Sequence, residues 1–187
     1  VTNPRSPGFY SRLFLVPKSD GSWRPVIDLK PLNRLLVVPS FKMETVQSIR
    51  ASLQQFEWVV KLDLKDAYHH IPVHPAIRKY FRFVIADTVY QFKSLPFGLS
   101  TAPREFTKTL APIVHLLRLQ GIKVHAYLDD WLIRAESELQ CIQFRDTTIQ
   151  LLQSLGWTIN WTKSQLTPTQ TVVFLGLEFD LLRAWVA

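Results

Sequence analysis

The sequence predicts an α+β fold: a ferredoxin-like, split βαβ antiparallel sheet with helices on one face. Three observations predict it. Two short, β-favouring apolar runs end in acidic residues, Trp58-Val59-Val60-Lys61-Leu62-Asp63 and Val124-His125-Ala126-Tyr127-Leu128-Asp129-Asp130. Two longer stretches, one between these runs and one after them, repeat apolar residues at helical spacing. With a final strand, the order is β-α-β-β-α-β, and 47% hydrophobic against 20% charged residues is the balance of a chain that buries a core.

The elements follow in order. Pro4, Pro7 and Gly8 mark an entry loop. Arg12–Pro17 and Trp23–Leu29 read as two strands, separated by the turn signal Lys18-Ser19-Asp20-Gly21-Ser22, with Lys18 and Arg24 near the hairpin tip. Val46, Ile49 and Leu53 predict a short helix over 43–54. After the Asp63 strand, Tyr80–Val84 and Val89–Phe92 form a second hairpin pattern, followed by the turn-rich link Ser94–Ser100. Phe106, Leu110, Ile113 and Leu117 predict a helix over 102–120, with Gly121 just past its end and Pro112 expected to kink or interrupt it. The next helix opens with a capping box at Ser137 and Gln140, buries Leu139, Ile142, Ile149 and Leu152, and closes at Gly156. Strands over 157–160, 171–179 and 181–186 complete the chain.

Asp129-Asp130 interrupts an apolar run that resumes with Trp131-Leu132-Ile133, so the pair is expected at a hairpin turn. Adjacent like charges repel, and a divalent cation turns that repulsion into ligation by hard oxygen donors. If both acidic runs lie in one sheet, Asp63 joins the pair around two Mg²⁺ ions, the arrangement that stabilises both oxygens of an in-line phosphoryl transfer. Asp66 either caps the following turn or faces substrate. His70 and His74 are four apart, but Pro72 and Pro75 break the helix that zinc ligation at that spacing requires.

Lys and Arg number 22 against 15 Asp and Glu, a net charge of +7, and the isoelectric point is near 9.7. Such an excess suits a polyanionic partner, nucleic acid first, or else a basic domain without one. No run of 18 apolar residues is present, so no membrane partner is expected, and an intracellular location follows as an expectation. Cys141 is the only cysteine, which rules out an internal disulfide. The start, Val1-Thr2-Asn3-Pro4-Arg5, reads as an internal piece of a longer protein.

Five motifs in register carry a family resemblance. They are Phe9-Tyr10-Ser11-Arg12, Asp63-x-x-Asp66-Ala67-Tyr68, Leu95-Pro96-Phe97-Gly98-Leu99-Ser100-x-Ala102-Pro103, Tyr127-Leu128-Asp129-Asp130, and Phe174-Leu175-Gly176. Over residues 9–180 the chain resembles the fingers and palm of a retroelement reverse transcriptase. Phe9-Tyr10-Ser11-Arg12 and His125–Trp131 look most like tyrosine-recombinase (DIRS-like) retrotransposons. The resemblance implies a right-hand polymerase with fingers over 1–57 and 77–97, palm over 58–76 and 98–187, and thumb and RNase H in the rest of a polyprotein. It implies an RNA-directed DNA polymerase, a nucleotidyltransferase that adds dNTPs to a primer on an RNA or DNA template.

Residue by residue, Asp63, Asp129 and Asp130 resemble the catalytic metal-binding triad, with Leu64 offering a backbone carbonyl. Two Mg²⁺ are implied, with Mn²⁺ as substitute. Lys18 and Arg24 match the family's triphosphate-gripping residues, and Asp66 and Ala67 border the nucleotide. Tyr68 resembles the gate against a ribose 2′-hydroxyl. Phe97 and Gly98 look like the pocket floor, although many retroviral enzymes carry Gln at the first position. Lys163 stands where the family has a lysine for the leaving pyrophosphate. Phe174, Leu175 and Gly176 resemble the primer grip. An RNA-dependent RNA polymerase and a catalytically silent or domesticated nucleic-acid-binding domain are the alternatives, the first disfavoured by Tyr68.

Overall fold

The computed structural model describes residues 7–17, 21, 23–183 and 185–186. It divides into two compact units, Val1–Ser40 with Tyr68–Phe106, and Phe41–Ala67 with Thr107–Ala187. Ile49, in the helix before the acidic strand, packs with Val59 and Leu132 and so counts with the second unit. Leu99 and Ala102 pack with Ile27 and Phe81 in the first.

In the first unit, β1 (Leu13–Pro17) pairs antiparallel with β2 (Trp23–Ile27), from Leu13 opposite Ile27 to Pro17 opposite Trp23. Lys18 lies outside the described residues. A four-residue helix, α1 (Lys30–Asn33), follows. Next along the chain come α2 (Val46–Ser52) and β3 (Trp58–Asp63) of the second unit. β4 (Arg82–Ile85) and β5 (Thr88–Gln91) make the first unit's other hairpin, turning through left-handed Ala86 and Asp87 (φ +43° and +62°).

α3 (Ala102–Leu119) begins in the first unit and continues in the second. It runs through Pro112 without interruption. Phe106, Leu110, Ile113 and Leu117 are buried on both sides of that residue, so burial along one face holds the helix across the missing amide.

The second unit holds a four-stranded sheet in the order β6-β7-β3-β8, built from β6 (Lys123–Tyr127), β7 (Asp130–Ala135), β3 and β8 (Gln165–Thr169). α4 (Glu138–Ser154) packs against β7, β3 and β8. The opposite face carries Val59 and Leu132 against Phe174 and Phe179 of the hairpin β9 (Thr171–Phe174) and β10 (Leu177–Asp180), with Ile49 of α2 beside them. β11 (Trp185–Val186) extends that hairpin's sheet. Val59, Val60, Leu62, Trp131, Leu132 and Ile133 are therefore buried on two faces, which is why these strands read as apolar runs rather than strict alternation.

Four local expectations change. The fourth strand of the sheet is β8, not 157–160, where Ile159 makes only an isolated bridge with Leu64. Pro168 disguises β8 as loop, and the strand tolerates it because it lies at the sheet edge. The run 171–179 is a hairpin, closed by left-handed Leu175 and Gly176 (φ +51° and +81°), the paired conformation of a type I′ turn. α4 buries Cys141, Thr148 and Leu152, whereas Leu139 is 67% exposed; the hidden stripe includes Thr148, whose hydroxyl is satisfied by the Phe144 carbonyl at 2.7 Å. At the α4 start Ser137 accepts from the Gln140 amide, but the Gln140 side chain accepts from Glu136 instead of Ser137. The reciprocal box is found on α2, between Thr45 and Ser48.

Candidate active site

β3 and β7 pair in a register that sets Asp63 directly opposite Asp130 and Lys61 opposite Leu132. Residues 59, 61 and 63 share a face, so Lys61 and Asp63 project beside Val59. Tyr127 pairs with Asp130, which makes Leu128-Asp129 the two-residue turn and Asp130 the first residue of β7. The two aspartates therefore divide between tip and strand rather than sharing the turn. Leu128 has φ +53°, a conformation that costs a branched side chain energy and gives the tip a fixed shape. The Leu64 amide donates to the Asp129 carbonyl at 2.9 Å, tying the end of β3 to the turn.

The carboxylates sense one another. Burial pushes the Asp63 carboxyl up and the Asp130 charge adds to this; a hydrogen bond from the Asn160 side chain and the charges of Lys163 and Lys61 oppose it. Lost hydration likewise raises Asp129, reinforced by Asp130 and Asp63 and opposed by its own backbone amide and Lys163. Asp130 is ion-paired with Lys61, Nζ to Oδ1 3.1 Å. Lys163 thus acts on Asp63 and Asp129, and Lys61 on Asp63 and Asp130. Neither Lys61 nor Asn160 was singled out from sequence, where the first looks like an outward residue of an alternating strand and the second like part of a loop.

Two carboxylates raised by burial and by one another's charge are hard oxygen donors of the type that suits a divalent cation. The Leu64 carbonyl adds a neutral donor: the bridge to Ile159 uses Lys65 N–H to Thr158 and Asn160 N–H to Asp63, leaving that carbonyl outside the ladder. Among the described residues no three acidic, histidine or cysteine side chains already converge on one point. The oxygen chemistry of these residues fits a divalent cation, and Asp130 is engaged by Lys61.

The nucleotide-pocket candidates of the first unit form their own cluster. The Tyr68 ring meets Phe97 at 5.0 Å and Phe106 edge-on at 5.2 Å between centroids. Asn33 holds the adjacent turn, donating to the Gly98 carbonyl at 2.8 Å and accepting from Ser100 N–H at 2.9 Å. Gly98 has φ +85°, and an added Cβ would come no closer than 3.7 Å to Ile27 O, so backbone conformation rather than space requires glycine. Arg24 pairs with Val16 in the hairpin backbone. In the second unit Asp66 is left-handed at φ +50°, and Ala67 is buried. Phe174 is buried within the hairpin whose turn is Leu175-Gly176.

A family profile described as reverse transcriptase (RNA-dependent DNA polymerase) matches residues 16–179. The chain belongs to the reverse transcriptase family. This reverse transcriptase domain is 31% identical over 164 residues to the Transposon Tf2-3 polyprotein of Schizosaccharomyces pombe (strain 972), and 30% identical to the Tf2-7 polyprotein of the same yeast. Each match covers 88% of this chain and 12% of the polyprotein. Among solved structures, native prototype foamy virus protease-reverse transcriptase superposes with TM-score 0.78 at 27% identity, covering 89% of this chain and 22% of that one. The CSH mutant of that protein gives TM-score 0.80 at 26% identity, covering 93% and 23%. These likenesses agree with the α+β polymerase fold and make the chain a reverse transcriptase domain of a retroelement, within a family of nucleotidyltransferases. Among the described residues no helix is long and apolar enough to cross a membrane.

Proposed function

We propose that this chain is the fingers and palm of an RNA-directed DNA polymerase that adds dNTPs to a primer 3′-hydroxyl on an RNA or DNA template. The observation that carries the reading is the register of β3 and β7, which sets Asp63 opposite Asp130 with Asp129 in the adjoining β6–β7 turn. Asp63, Asp129 and Asp130, with the Leu64 carbonyl, would hold two Mg²⁺ ions or Mn²⁺ in their place. Bound there, such ions supply the positive charge that stabilises the attacking and leaving oxygens of in-line phosphoryl transfer.

The remaining roles belong to this chain's own side chains, and they are mainly positioning and charge stabilisation. Lys163 would neutralise charge on the departing pyrophosphate and give it a proton. Lys18 and Arg24 would grip the triphosphate, as cationic side chains suited to phosphate. Asp66 and Ala67 would border the sugar, Tyr68 would exclude a 2′-hydroxyl, and Phe97 with Gly98 would form the pocket floor. Phe174, Leu175 and Gly176 would hold the primer end. We assign fingers to 1–57 and 77–97 and palm to 58–76 and 98–187, with thumb and RNase H in the rest of a polyprotein. The wording of His125–Trp131 supports a tyrosine-recombinase (DIRS-like) element; a tyrosine recombinase rather than an integrase encoded beside this domain would establish it.

The test is extension of a DNA primer on an RNA template with dNTPs and Mg²⁺ or Mn²⁺. Asp63→Asn and Asp129→Asn should each lower the rate by orders of magnitude with the fold retained, and near-normal extension by either would sink the assignment. Asp130's engagement by Lys61 favours a second reading, a catalytically silent nucleic-acid-binding domain. Salt-sensitive primer-template binding without extension, in the chain joined to its downstream segment, would establish that one.

A further inference from the structure

Around Asp63 the sheet gives way to a single turn. β8 ends opposite Lys61, where Gln165 is its partner, so Asp63 lies two residues past the last β8 pairing. The segment 160–164 takes over there. Asn160 N–H donates to the Asp63 carbonyl at 2.8 Å, and Asp63 N–H donates to Ser164 Oγ at 3.0 Å. Ser164 Oγ in turn donates to the Asn160 carbonyl at 2.7 Å, closing the turn on itself.

The side chains repeat the arrangement one level out. The backbone pairing of Asn160 with Asp63 brings the Asn160 side-chain amide beside the Asp63 carboxylate, whose ionised form it favours. An ionised carboxylate only accepts, so the NH₂ group must face it, and Asn160 Oδ1 must face the other way. Thr162 Oγ1 donates to that oxygen at 2.9 Å. The chain Thr162–Asn160–Asp63 therefore has one consistent direction of donation. A carboxylate has about four acceptor sites, so one amide donor fixes its rotamer and leaves others for a cation.

We infer that Asn160, oriented by Thr162, is a positioning residue that presents the Asp63 carboxylate to the divalent cation and so sets the affinity of the site for metal. The inference rests on Asp63 being a metal ligand.

Direct Mn²⁺ binding, read from the electron paramagnetic resonance of the free ion, tests it on the chain and on Asn160→Ala, Thr162→Val and Asp63→Asn. Thermal unfolding without metal and primer extension across a metal titration accompany it. Asn160→Ala should bind Mn²⁺ about ten- to a hundredfold more weakly, the usual effect of removing a group behind a metal ligand. Its extension should recover at high metal, as a raised metal KM with kcat nearly kept. Thr162→Val, which keeps shape and leaves Asn160 in place, should shift the affinity the same way by less. Unchanged Mn²⁺ affinity in Asn160→Ala overturns the inference, as does extension lost at every metal concentration together with a large fall in Tm. Should Asn160→Ala fail to fold, wild-type Mn²⁺ affinity in Thr162→Val overturns it instead. Asp63→Asn separates the two levels. If that variant binds Mn²⁺ and extends normally, the ligand assignment itself fails; if it is inert while Asn160→Ala matches the wild type, only the positioning role fails.

Discussion

Lys61 Nζ lies 3.1 Å from Asp130 Oδ1 and 5.9 Å from the centre of the Phe174 ring. The register explains the meeting: Lys61 and Asp63 are two residues apart on one strand face, and Asp130 faces Asp63 across the pair. A lysine stem lying diagonally reaches that carboxylate. Of the three acids, Asp130 is the one with a direct cationic partner, and a metal ion would have to compete with it.

Replacing Lys61 by Met should therefore strengthen metal binding while weakening the metal-free protein. The pair is partly exposed, so its contribution is on the order of 0.5–1 kcal/mol, or a fall of about 1–4 °C in Tm for a chain of this size. Added Mg²⁺ should raise the Tm of Lys61→Met more than that of the wild type. Equal increments in a thermal melt would show that Lys61 does not screen the site.

Cys141 is fully buried on α4, and its thiol donates to the Trp58 carbonyl at 3.5 Å. Burial pushes the thiol up to about 11, against a small opposing influence of Arg145. Thiolate is the reactive form, so a disulfide reagent at pH 8 should leave the folded chain untouched and modify it in denaturant. The raised value also has a linkage sign. The unfolded thiol ionises near 9.0 and the folded one near 11, so between these values the native state keeps a proton that the unfolded state releases, and stability falls as pH rises. Cys141→Ser should flatten that alkaline slope in urea titrations.

Glu44 bridges elements by charge. Its carboxylate receives Arg118 and lies 2.9 Å from His125 Nδ1, while His125 Nε2 is 2.8 Å from Ser52 Oγ. Burial raises the Glu44 carboxyl, but the hydrogen bonds and charges of His125 and Arg118 outweigh it and leave the group below 4.5. A depressed carboxyl contributes stability above its unfolded value that is lost as pH falls through the folded one. Glu44→Gln should thus lose less stability than the wild type between pH 7 and the acid limb of the unfolding profile. Parallel acid limbs for the two proteins would contradict this.

Pro112 is exposed within α3 and removes the amide that would bond the Lys108 carbonyl. Its cost is met by burial on the opposite face, so Pro112→Ala should stabilise the chain by about 1–3 kcal/mol. A urea midpoint at or below the wild-type value would mean that the proline fits a bend the helix needs.

Tyr68 packs against Phe97 and Phe106, so ring and hydroxyl can be separated. Tyr68→Phe should keep dNTP selectivity, and Tyr68→Ala should admit ribonucleotides; unchanged selectivity in the second, measured by competing nucleotide incorporation, would remove the gate.

Much of the architecture was legible because it is written locally. The apolar runs around Asp63 and Asp129, the glycines at 121 and 156, and the helical spacing through Phe106, Leu110, Ile113 and Leu117 each reflect a backbone geometry of a few residues. β8 was not legible, since a proline-bearing strand becomes a strand only by finding an edge. The buried stripe of α4 was phased wrongly because Thr148 is polar in composition yet satisfied by its own helix.

By itself, then, the sequence determined the family, the order of strands and helices, and the positions of the three acids. Tertiary structure alone decided that Lys61 would hold Asp130, that Asn160 would reach Asp63, and that Asp129 would stand at the tip with Asp130 in the strand. The physical reason is distance along the chain. A period of two tells which face a residue occupies, but its neighbours on that face come from strands and turns up to about a hundred positions away, and only their register brings them into contact.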